Sequence, residues 1–168
     1  VYAALALLSS GTLLAVASGS VRAQASSAFE AYPADTSPLP ATRPPDFSGA
    51  DTAVRRGRAF IEQAAKRGPD FAGRVVVARW GCGRACERWA LVDLANGRIA
   101  WVEDAALQPV RHNFPCSAEP LEYRGNSRLL RVHRLAGDRV VTQDIVWWED
   151  YLEKGVESVQ TAEAFCRR

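Results

Sequence analysis

Beyond Phe71 the chain changes its apolar period, and that change limits its fold more than any other feature. Arg74-Val75-Val76-Val77-Ala78-Arg79-Trp80 is β-branched and nearly continuous in apolar residues, the pattern of a strand covered on both faces. Trp89-Ala90-Leu91-Val92-Asp93-Leu94 and Arg98-Ile99-Ala100-Trp101-Val102 then flank Asn96-Gly97, which supplies the φ > 0 residues of a tight hairpin turn. A second hairpin is expected from Leu121-Glu122-Tyr123 and Arg128-Leu129-Leu130-Arg131-Val132 around Arg124-Gly125-Asn126-Ser127. Val140 to Trp148 forms a further strand, and a weak last strand is expected over Val156 to Thr161. Consecutive strands joined by short turns make an antiparallel meander.

Ahead of the strands, residues 53–67 wind at a helical period. Ala53, Val54, Gly57, Phe60, Ile61, Ala64 and Ala65 share one arc, with Arg55, Arg58, Glu62 and Lys66 opposite. Ser48 or Asp51 can cap this helix, and Gly68-Pro69 ends it. The expected fold is therefore α+β and mainly β, with one N-terminal amphipathic helix packed on an antiparallel β-meander. A chain of 168 residues, 48 % hydrophobic and 24 % charged, suits a single globular domain and excludes a coiled coil, a collagen and a fully disordered protein. Its formal charge of +2 lacks the basic footprint of a nucleic-acid binder. Nineteen of the 21 basic residues are Arg. The excess reads as codon bias, with carboxylate or phosphate binding through Arg forks as the functional alternative.

The N-terminal third carries an address. Residues 4–18 are apolar and uncharged and precede Ala23-Gln24-Ala25, so residues 1–25 read as a secretory signal peptide. The run is shorter than the roughly 20 apolar residues of a membrane span, and no stable insertion is expected after its removal. The expected location is periplasmic or secreted. Residues 26–50 hold Pro33, Pro38, Pro40, Pro44 and Pro45 among few large apolar groups and read as a disordered spacer, leaving 51–168 as one domain.

Cys82, Cys86, Cys116 and Cys166 allow three pairings, and an exported chain favours pairing over free thiols. Cys82–Cys86 with Cys116–Cys166 is preferred: the short loop is worth about 2 kcal/mol and the long tie about 4 kcal/mol. Cys82, Cys86, His112 and Cys116 form a competing Cys3His zinc set, and a strained Cys82–Cys86 pair suggests a redox site. No cofactor is expected.

Catalytic signatures are sparse. His112 precedes Pro115 in an expected loop, and His133 sits on a strand between Arg131 and Arg134; each reads as a surface or packing residue. The paired acids Glu103-Asp104 and Glu149-Asp150 could serve a glycoside hydrolase, although adjacent acids after a strand are commonly turn residues. Neither a Gly-x-Ser-x-Gly elbow nor a phosphate loop occurs. Trp147 and Trp148 must point to opposite faces of their strand, so one is a candidate exposed anchor for a protein or glycan, unless another segment covers it.

Phe71-Ala72-Gly73, Trp80-Gly81-Cys82-Gly83-x-x-Cys86, Leu91-Val92-Asp93-Leu94-Ala95-Asn96-Gly97-Arg98-Ile99 and Tyr123-x-x-x-Ser127-Arg128-Leu129-Leu130 together resemble a family of small secreted proteobacterial proteins of unknown function. The resemblance spans roughly residues 70–133. It implies export and a β-rich fold with the two close cysteines paired, and it brings no activity, cofactor or catalytic residue. The functional expectation is an exported, non-enzymatic, monomeric binding module for an envelope or extracellular protein or glycan. A small hydrolase using the paired carboxylates is the alternative.

Overall fold

The computed structural model describes residues 28–83, 86–100, 116, 118–149 and 151–167, with the side chain of Cys86 outside that set. The expected signal segment, Trp101, Glu103, Asp104, His112 and Asp150 lie outside the described residues.

The helix expected over 53–67 is two pieces, α1 (Thr52–Arg56) and α2 (Arg58–Ala65). Asp51 caps the first, its Oδ1 accepting from the Val54 amide at 2.7 Å. The break falls at Gly57, where a Cβ would lie 2.5 Å from the Trp80 ring. Trp80 thus fills the space that a side chain at this position would need.

The single meander of the sequence reading is instead two antiparallel sheets. One holds β1 (Val75–Gly83), β2 (Cys86–Asp93) and β3 (Ile99–Ala100), in that order. The other holds β4 (Leu121–Tyr123), β5 (Leu129–Ala136), β6 (Arg139–Trp148) and β7 (Tyr151–Thr161), also in sequence order. Period-two alternation assigns their faces. Val75, Val77, Trp89 and Leu91 meet Leu121, Leu130, Val132, Ile145 and Trp147 in a core between the sheets. Val76, Ala78, Trp80, Ala90 and Val92 face the other way, onto Val54, Ile61 and Ala64 of the helices. The run of four fully buried residues at the start of β1 has its cause here, because both of its faces are covered.

The hairpin at Asn96-Gly97 is a longer turn than a two-residue one. Asp93 N donates to Arg98 O at 2.9 Å, and of the two turn residues only Gly97 has positive φ, at 82°. Asp93 builds the turn itself. Its buried carboxylate accepts from the Ala95 amide (2.9 Å) and the Asn96 side chain (3.1 Å), and pairs with Arg74 at 2.9 Å.

The expected spacer is the largest departure. Residues 28–50 run as a strap along the folded body, and Phe29, Ala34, Leu39 and Phe47 pack into three different apolar clusters. Four main-chain bonds seat the strap: Arg128 N to Tyr32 O (2.8 Å), Ala34 N to Asn126 O (3.0 Å), Arg43 N to Leu94 O (2.8 Å) and Asp46 N to Gly97 O (2.7 Å). Buried Ser127 adds hydroxyl bonds to Phe29 O (2.8 Å) and Tyr32 O (3.1 Å). The composition argument for disorder counts ordering entropy, but prolines have less backbone freedom to lose. Asp35 and Asp46 stiffen the strap further, each accepting from the amide two residues on, at 2.9 Å. Two glycines make room for it: a Cβ on Gly73 would stand 1.7 Å from Asp35 O, and one on Gly97 would stand 2.3 Å from Pro44 O.

At the C-terminus, β7 is longer than the weak strand expected and runs into α3 (Ala162–Cys166). Phe165 of α3 is buried against His133, and the Cys116–Cys166 disulfide ties the helix down. Among the described residues no helix is long and apolar enough to cross a membrane.

Candidate functional site

The strap and the ends of the two sheets enclose a cleft of about 440 Å³. Its strap wall is Pro33 to Pro40, and its far wall includes Arg74, Arg128, Trp147 and Glu149. The sheets therefore bring together two of the residues singled out from sequence, Trp147 and Glu149. Ala72, the non-glycine residue with positive φ (49°) among those described, also borders the cleft. An L-residue in this region is strained by about 1–2 kcal/mol. The tight 71–75 turn, bridged between Phe71 and Val75, imposes it.

The tryptophan pair divides as alternation requires. Trp147 is 3 % exposed, lies in the inter-sheet core, and its Nε1 has no hydrogen-bond partner among the described residues. Trp148 takes the opposite face. Arg128 lies over its ring at 4.1 Å, and its Nε1 donates to Glu153 at 2.6 Å. The candidate exposed anchor is therefore a platform for an arginine, since one ring face is already occupied.

Arg128 is the site's distinctive group. Its Nε donates to Pro33 O at 3.1 Å, which fixes the guanidinium beside the strap. The terminal nitrogens have no partner among the described residues. By contrast Arg74 is held by Asp93, Arg79 by Glu87, Arg131 by Asp144 and Arg134 by Glu157. Two carboxylates also line the cleft, Asp35 from the strap and Glu149 from the far wall. Glu149 is exposed and 3.9 Å from Arg74, while the Ser37 hydroxyl and amide hold the Asp35 carboxyl below its ordinary range. A second, more open cleft of about 460 Å³ lies along β4. Arg79 meets Glu119 there, and Arg124 stacks on Phe29.

Sequence reasoning missed a polar row on the outer face of the second sheet. Strand register places Glu122 opposite Arg131 and His133 opposite Thr142. His133 Nδ1 meets Thr142 Oγ1 at 2.9 Å, and its Nε2 lies 3.0 Å from Glu122 Oε1, close enough for an ion-pair contact but not aligned as a hydrogen bond. A carboxylate, an imidazole and a hydroxyl in this order resemble a nucleophile relay. Here His133 is fully buried beneath Phe165, so the imidazole packs α3 onto the sheet. Beside it, Arg131 binds Asp144 through Nε at 2.7 Å and Nη2 at 3.0 Å, a fork that raises the arginine's pKa.

Inside the sandwich Asp70 guards the free edge of β1, its carboxylate accepting from the Val77 amide at 2.8 Å. Burial pushes this carboxyl up. Burial, followed by the charge of Asp70, likewise raises Tyr123.

Of the Cys3His zinc set, Cys116 is spent in its disulfide with Cys166, and Cys82 is also disulfide-bonded. Neither is available as a thiolate, which removes the zinc alternative. The side chain of Cys86 and all of His112 lie outside the described residues. Among the described residues no cluster of three His, Cys, Asp or Glu groups is close enough to hold a metal ion.

The segments that carry the resemblance noted above meet at the strap. Gly73 faces Asp35, Gly97 faces Pro44, and Ser127 and Arg128 bind the carbonyls of residues 29–33. Compared with known proteins, the chain matches no family model, no curated protein and no solved structure.

Proposed function

We propose that this chain is an exported binding module that acts without catalysis, and that its ligand enters the cleft between the strap and the two sheets. The observation that carries this reading is Arg128. It is a guanidinium already oriented by Pro33 and Trp148, with its terminal N–H groups unpartnered among the described residues beside a cleft of ligand size. The Cys116–Cys166 disulfide suits an oxidising compartment, as export requires. The reading also keeps the proposed kinship with small secreted proteobacterial proteins, since the residues quoted for it build the strap's seat.

The alternative, a hydrolase with paired carboxylates, is less supported. A glycosidase pair needs one carboxyl held protonated by its surroundings. Of the acids named for it, Glu149 alone is among the described residues, and its side chain is 87 % exposed.

To test the reading, the full chain is expressed with export and recovered from the envelope compartment, then passed over immobilised envelope glycan and, separately, envelope protein. Retention by one fraction that Arg128→Gln removes supports a cleft-based binding module. Equal retention of wild type and variant, or retention of neither, contradicts it.

A further inference from the structure

We infer that the cleft receives a small ligand carrying one carboxylate beside hydrogen-bond donors, with the Arg128 guanidinium as the carboxylate's seat; the inference rests on the binding reading above and names its ligand class. Arg128 has already lost most of its side-chain freedom. Its Nε is bonded to Pro33 O, its plane lies over Trp148, and Trp148 is itself anchored on Glu153. A fork held this way binds a planar carboxylate with little further ordering cost.

The two lining carboxylates set the rest of the ligand. Asp35 and Glu149 are acceptors only when ionised, so they ask the ligand for hydroxyl or ammonium donors. Because Asp93 matches the charge of Arg74, the described residues of the cleft offer one cation without an acidic partner beside these two carboxylates. A polyanion such as a nucleic acid or a polyphosphate would meet repulsion there. Pro33, Pro38 and Pro40 also line the cleft and give it apolar surface for a compact body. The volume, about 440 Å³, is in the lower part of the roughly 300–1,000 Å³ span of small-molecule pockets. Two ligand types share this chemistry, a sugar acid with its hydroxyls and a short peptide with its terminal carboxylate and ammonium.

The experiment is an NMR titration of the ¹⁵N-labelled full chain, following the Trp148 indole and the amides of the strap. The Trp148 signal is assigned with Trp148→Phe. The probes are D-glucuronate against D-glucose, and L-alanyl-L-alanine against its amide. The expected result is that one acid shifts these signals in the millimolar range while its neutral partner does not, and the acid that responds identifies the ligand type. Arg128→Lys should weaken that acid about tenfold, because the charge remains but the fork is lost. Glu149→Gln, a change at an exposed position, should weaken it as well. Equal response to an acid and its neutral partner, silence toward both acids, or an unchanged affinity in Glu149→Gln overturns the inference, whether or not the Arg128 variant folds. If envelope retention still depends on Arg128 while both acids fail, the ligand class falls and the binding reading stands. Loss of both removes both.

Discussion

At the residue scale, one buried carboxylate organises the first sheet. Asp93 holds the Ala95 amide, the Asn96 side chain and Arg74 together, and Arg74 in turn lines the cleft. Asp93→Ala should lower stability by about 2–3 kcal/mol, since it leaves a half-buried cation and the turn donors unpaired. Urea unfolding measures this, and a loss under about 1 kcal/mol would mean that water replaces the carboxylate. Asp70 gives a pH signature. Its folded pKa is raised, first by burial, above the ordinary 3.8. The folded state therefore keeps this proton longer than the unfolded chain does. Its contribution is complete below the unfolded value and is lost as pH rises through the folded one. Asp70→Asn can still accept from Val77 and does not ionise, so its stability relative to wild type should increase between about pH 3 and pH 7. A flat or falling difference across that window would show that the carboxyl is not desolvated.

At the scale of elements, what could be read from the sequence depended on whether an element's partners were close by. Val75 to Trp80 was legible as a doubly covered strand because the β-branched run carries its own signal, and the turn residues between strands marked their ends. The helical period of 53–67 was legible too, but not its break at Gly57, which answers to Trp80 more than twenty residues away. Nor could composition reveal the strap. Its anchors are single residues spaced far apart, Phe29, Leu39 and Phe47, and its hydrogen-bond partners lie at Leu94, Gly97 and Asn126. Gly73 and Gly97 read locally as turn glycines, although the strap's close approach also demands them. The last helix is a different case. Only five residues long, α3 is held by Phe165 and by a disulfide across 50 residues of sequence. Replacing Cys116 and Cys166 by Ser should cost about 4 kcal/mol by loop entropy. Amide exchange should rise first in α3 and around His133, and uniform loosening of both sheets would argue that the tie supports the whole domain.

At the scale of the whole molecule, the helices, the two sheets and the strap form a series of layers in which the outermost piece completes the candidate site. The site residues were only half legible. Trp147 and Glu149 stood out as chemical types, but Arg128 did not, because nothing in one sequence separates it from eighteen other arginines. Its distinction is geometric, since the strap positions it and no acid among the described residues pairs with it. Glu122 and the buried His133 and Thr142 were likewise invisible as a group until strand register placed them side by side.

The cleft exists only if the proline-rich segment is part of the folded domain, and native-state hydrogen exchange at Ala34, Arg43 and Asp46 tests that most directly. Their amides donate to Asn126, Leu94 and Gly97. All three should be protected, and Gly97→Ala, which drives a Cβ into Pro44 O, should remove protection at Arg43 and Asp46 while the β5–β6 amides keep theirs. Exchange of these three amides in wild type at the rate of an unstructured peptide would contradict the seated strap, and with it the cleft and the function proposed for it.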